Sequence, residues 1–144
     1  MRTALFTLLL AATAASACRT EQVMPPVDAR ASEVQAAVDR QFTLGVGREA
    51  RIGGSAVRVR FAAVVEDSRC PSNAVCAWQG NAGVRLELSG AGESRSLQLN
   101  TALEPQIVEY AGMRFRLVGL TPYPVAGQPA PAPGSYEATL LVTR

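Results

Sequence analysis

The chain contains no histidine and no lysine. The first absence removes the side chain most used as a base near neutral pH and the commonest metal ligand. The second leaves arginine as the only cation, 14 of them against 12 acidic residues for a formal charge of +2, too close to balance for a general nucleic-acid binder. No apolar run exceeds about a dozen residues, so no segment is long enough to span a bilayer as a helix. Three cysteines without histidine do not make a zinc site, and the pattern predicts no metal and no cofactor. What is there, 144 residues at 48% hydrophobic, suffices for one modest core and one domain.

The N-terminus reads as an export signal over residues 1–17. Arg2 supplies the positive start, Ala4 to Ala15 the apolar stretch, and Ala15-Ser16-Ala17 the small-residue processing site before Cys18. Ala-Ser-Ala-Cys resembles a bacterial lipoprotein box, although Ala15 stands where Leu is usual, and Ala15-x-Ala17 also satisfies ordinary signal cleavage. Acylation of Cys18 would remove the odd thiol and leave Cys70 and Cys76 to pair. The membrane contact would then be the lipid, and with Arg19 following Cys18 a Gram-negative cell would place the protein in its outer membrane, facing the periplasm.

Residues 18–39 read as a flexible tether, with Met24-Pro25-Pro26 breaking regular structure and Ser32-x-x-Gln35 the one place where a short helix could open. From residue 40 to 144 apolar residues alternate, as in half-buried strands. Val57, Val59 and Phe61 oppose Arg58 and Arg60, and Val84, Leu86 and Leu88 oppose Arg85 and Glu87. Ile107 to Tyr110, Ala111-Gly112 and Met113 to Leu117 spell a hairpin, and Tyr136, Ala138, Leu140 and Val142 a last strand. About seven to eight such strands predict an all-β fold: a single small antiparallel β-sandwich or partly open barrel. Five prolines between Pro122 and Pro133 make that segment a stiffened loop.

Between two strand-like segments lies Glu66-Asp67-Ser68-Arg69-Cys70-Pro71-Ser72-Asn73-Ala74-Val75-Cys76-Ala77-Trp78-Gln79-Gly80-Asn81. Cys70 and Cys76 enclose five residues, a spacing open to a disulfide, a metal site or a redox couple; export favours the disulfide. Glu66 and Asp67 point to opposite faces of a strand and do not make an acid-base pair. A Ca²⁺ site on Asp67, Asn73 and Asn81 lacks the dense alternating carboxylates such loops use.

Asp67-Ser68-Arg69-Cys70-Pro71 followed by Cys76-x-Trp78-x-Gly80-x-Ala82 resembles a group of small exported bacterial proteins, often lipoproteins, with weaker support from Leu120-Thr121-Pro122 and Tyr136 to Val142. The resemblance implies location and carries no assigned catalytic or binding residue.

Two readings of the stretch stay open. In one, Trp78 lies over the disulfide and caps the core, Arg69 pairs with Asp67 or Glu66, and Gly80 supplies a turn geometry that a Cβ would obstruct. In the other, the ring is a rigid loop displaying Asp67, Arg69, Asn73, Trp78, Gln79 and Asn81 to a partner. The outward arginines Arg58, Arg60, Arg85, Arg95, Arg114 and Arg116 suit lipid phosphates, anionic glycans or acidic surfaces, but Glu87, Glu93 and Glu109 favour a solvated face. The resulting expectation is a non-enzymatic envelope lipoprotein that binds or supports an envelope protein or glycan. The alternative is a secreted or periplasmic hydrolase inhibitor presenting the disulfide loop.

Overall fold

A computed structural model describes residues 33–144. The expected signal peptide, Cys18 and the tether up to Ser32 lie outside the described residues.

The described chain is all-β, as the alternation predicts. Nine strands form it: β1 (Val34–Ala36), β2 (Gln41–Gly45), β3 (Glu49–Ile52), β4 (Arg58–Asp67), β5 (Ala82–Ser89), β6 (Arg95–Asn100), β7 (Ile107–Tyr110), β8 (Met113–Thr121) and β9 (Glu137–Thr143), with one short 3₁₀ turn at Pro133–Ser135. They make two sheets, a five-stranded one in the order β1-β3-β4-β5-β6 and a four-stranded one in the order β2-β9-β8-β7. Each strand sends alternate side chains inward. Val59 and Phe61 of β4, Leu86 and Leu88 of β5, Phe115 of β8 and Leu140 of β9 are fully buried between the sheets.

The folded part begins earlier than the alternation indicates. Val34–Ala36, expected within the tether or a short helix, pairs in parallel with β3 through Val34–Ala50 and Ala36–Ile52, and Ala36 is buried. Three residues are too few to show a period. Their partner strand is reached only after the chain has crossed to the other sheet and back, so no local signal marks them. All other pairings are antiparallel.

The strand directions sort the loops. β4, β6 and β8 end, and β5, β7 and β9 begin, at one end of the sandwich, which gathers residues 68–81, 101–106 and 122–136. The opposite end holds the short turns after β3, β5 and β7. The described C-terminus is there as well, with the Arg144 guanidinium beside Gly54, whereas β1 runs parallel to β3 toward this end, so that Glu33 lies farther up the sheet and reaches Arg58 with its carboxylate.

Candidate functional site

The loop end is built on a buried ion pair. Two residues past the carboxyl end of β4, the Arg69 guanidinium turns back and grips Asp67 with both prongs, Nε to Oδ1 and Nη2 to Oδ2, each at 2.7 Å. Its remaining donors reach the far sheet: Nη1 bonds the Leu120 carbonyl and Nη2 the Pro122 carbonyl. The Tyr123 ring stacks on it with the centroid 4.3 Å away, and the Tyr136 hydroxyl donates to Asp67 Oδ2 at 3.0 Å. The side chains of Arg69 and Asp67 are only 3% and 8% exposed. Arginine fits here because a single planar fork satisfies a carboxylate bidentately and still has donors for two carbonyls.

Burial alone would push the Asp67 carboxyl toward its neutral form, but the hydrogen bonds and charge of Arg69 outweigh it and hold Asp67 below the ordinary carboxylate range. Burial works the same way against the Arg69 cation, and Asp67 raises its pKa regardless. Tyr136 is pushed up, first by burial and then by its bond to the Asp67 carboxylate.

The second tie is Asn81. Its Oδ1 accepts from the backbone N–H groups of Ala102 and Leu103 at 3.1 and 3.3 Å, and its Nδ2 donates to Glu66 at 2.8 Å and Asn100 at 3.2 Å. This one amide holds the 101–106 loop against the start of β5. The third tie is Asn73, whose Oδ1 accepts from the Ala126 N–H at 2.7 Å and whose Nδ2 donates to the Ala126 carbonyl at 3.3 Å. Together with the bond from Ser72 N–H to the Pro124 carbonyl, it zips the disulfide loop onto the proline-rich segment.

Cys70 and Cys76 form the expected disulfide. The ring encloses only five residues, so its loop-closure contribution is about 2 kcal/mol. Replacing both cysteines by Ala is expected to lower unfolding free energy by about that amount in urea titrations, while equal midpoints would deny the bridge any stabilising role.

The six proposed binding residues divide cleanly. Asp67, Arg69 and Asn81 serve as internal bracing, their side chains largely buried and engaged within the fold, with Arg69 also at the floor of a shallow hollow. Asn73 is exposed, but its amide is spent on Ala126. Trp78 and Gln79 face solvent. Trp78 is 76% exposed, which overturns its reading as a core cap. The position over that end of the core is taken by Leu120, Tyr136 and the Arg69–Asp67 pair, leaving the indole outside. The expected pairing of Arg69 with Asp67 and the turn role of Gly80 are both present. The three residues weighed for Ca²⁺ do not converge, since each has its oxygen engaged elsewhere. Among the described residues, no cluster of three or more His, Cys, Asp or Glu side chains is placed to hold a metal.

Sequence reasoning missed the other exposed apolar side chains of this end. Val75 is fully exposed, and Tyr123, Val125 and Leu103 are largely so; all belong to the three loops of this end. A shallow hollow of about 170 Å³ opens between Cys70, Gln79, Thr101 and Tyr123. The available signal was composition: residues 70–81 and 122–136 carry no charged side chain at all, whereas both sheets carry charge on their outer faces. The loop end therefore offers aromatic and aliphatic area on a braced frame, with hydrogen-bonding groups and the exposed Glu104 carboxylate around it. Comparison with protein-family models, curated proteins and solved structures finds no match.

Proposed function

We propose that the chain is an exported, lipid-anchored binding module of the bacterial cell envelope, non-enzymatic, with Cys18 carrying the lipid and the charge-poor loop end engaging a protein partner. The observation that carries the reading is the 76% exposure of Trp78 on a loop whose backbone is fixed from both sides. A large aromatic held out in water by a rigid scaffold has its ordering cost met before binding. Depletion of charge with exposed Trp and Tyr is the composition of an interface centre.

Two experiments test the two halves. Cys18→Ser should move the protein from the membrane pellet to the soluble fraction; an unchanged distribution would refute the anchor. Trp78→Ala, made in the full chain, should leave the denaturation midpoint within about 0.5 kcal/mol of wild type. It should weaken capture of the envelope partner by about 2 kcal/mol or more, roughly 30-fold. Equal capture by the two proteins would remove the loop end from function.

The hydrolase-inhibitor reading is favoured by one feature, the fully exposed Val75 inside a cross-linked ring. It differs in outcome: stoichiometric protein would slow a purified protease or lysozyme, which a binding module would not do.

A further inference from the structure

The outer face of the four-stranded sheet carries a feature that the loop end does not use. Arg114 and Arg116 are alternate residues of β8, so both side chains leave the same face from positions about 7 Å apart along the strand. The register sets Ile107, Arg116 and Leu141 in one row across β7, β8 and β9, and Glu109, Arg114 and Thr143 in the next. Between them lies a hollow of about 190 Å³ bounded by Ile107, Arg114, Arg116, Leu141 and Thr143.

On the other sheet two outward arginines are ion-paired, whereas Arg51, Arg85 and Arg95 are exposed and make no ion pair among the described residues. Arg58 lies 3.0 Å from Glu33 and 3.4 Å from Glu49, and Arg60 lies 2.9 Å from Glu87. Arg114 and Arg116 make no ion pair among the described residues, and Glu109, although opposite Arg114 in register, does not line the hollow. An anion placed between two like charges on one face would be attracted by both. Ile107, 47% exposed, and Leu141 add aliphatic surface beside the two guanidinium groups.

We propose that this hollow binds a phosphate monoester, with the Arg114 and Arg116 guanidinium groups on the phosphate oxygens and Ile107 and Leu141 against the aliphatic part of the ligand. Thr143 contributes a hydroxyl at the rim. The charge count selects the ligand: two unpaired cations and no carboxylate in the lining match a phosphate carrying about −1.5 to −2, whereas a carboxylate would neutralise only one. The site stands independently of the loop-end reading, since no residue is shared.

The probes are glycerol phosphate and vesicles of phosphatidic acid or phosphatidylcholine, titrated against the full chain at low ionic strength. Glycerol phosphate is expected to bind saturably and to shift the resonances of Arg114, Arg116 and Thr143. Arg114→Gln/Arg116→Gln should weaken it at least tenfold, while Arg85→Gln, an exposed arginine on the other sheet, should leave it unchanged. Binding to phosphatidic acid in addition, and not to phosphatidylcholine, would assign a lipid source for the same phosphate; binding of glycerol phosphate alone would assign a soluble one. Absence of saturable binding, or equal loss in the Arg85→Gln control, would overturn the site. Vesicle binding without a response to glycerol phosphate would do so too, because it would mean attraction by a whole face.

Discussion

Arg69→Ala is expected to lower unfolding free energy by about 3–5 kcal/mol, the usual cost of removing one partner from a buried pair. The change strands the Asp67 carboxylate, 8% exposed, with the Tyr136 hydroxyl as its main remaining side-chain donor. It also leaves the Leu120 carbonyl without this donor in a buried setting and cuts the only side-chain bridge described here between the end of β4 and the end of β8. Arg69→Lys should rescue little, because one ammonium group does not fork across a carboxylate and reach two carbonyls. The pH dependence gives an independent sign. A carboxyl whose folded pKa is depressed contributes stability that is fully present above its unfolded value, about 3.9, and is lost as pH falls through the folded value. Wild type should therefore lose stability on acidification below about pH 4, and its advantage over Arg69→Ala should shrink there. Urea titrations at neutral and acid pH measure both; a neutral-pH loss under about 1 kcal/mol would mean that the pair does not brace the loops.

Gly80→Ala should be nearly as damaging, at about 3 kcal/mol or more, through backbone geometry and not through charge. Gly80 sits at φ +69°, and a Cβ there would fall 1.9 Å from the Ser68 carbonyl oxygen and 2.9 Å from the Arg69 Cα. Neither strand of the neck can retreat, since Ser68 N–H bonds the Asn81 carbonyl at 2.7 Å and Cys70 N–H the Gln79 carbonyl at 2.8 Å. Gly92→Ala separates the two causes: its φ is +100°, but nothing lies within 4 Å of the added carbon, so it should cost only about 1 kcal/mol. Similar midpoints for the two variants would show that the neck yields and that the close approach is relieved at little cost.

How far the sequence discloses this arrangement depends on the range of the interactions. Val59 and Phe61, or Leu86 and Leu88, announce their inward face through period-two alternation because burial acts on each strand by itself. The hairpin at Ala111-Gly112 is legible for the same reason, both residues taking positive φ. The pairing of Arg69 with Asp67 was within reach, being two residues apart. Its bonds to Leu120 and Pro122 were not, because 51 and 53 residues separate donor from acceptor and a backbone carbonyl carries no sequence signal. The same limit governs Trp78. Whether an indole beside a disulfide caps a core or faces water depends on what else fills that space, and here Leu120 arrives from β8 and Tyr136 from the loop before β9, whose positions in space local pattern does not give. β1 fails for a different reason: an alanine-containing triplet gains its strand identity only from β3.

Trp78 is the sole tryptophan, so its fluorescence in the folded protein tests most directly whether the braced loop holds an aromatic out to solvent. With folding verified by circular dichroism, emission should lie close to that of the denatured chain and acrylamide should quench it nearly as efficiently. Addition of the partner should then shift it to the blue and protect it. Blue-shifted, quencher-resistant emission in the free, folded protein would place the indole in the core and contradict a display role for the loop end.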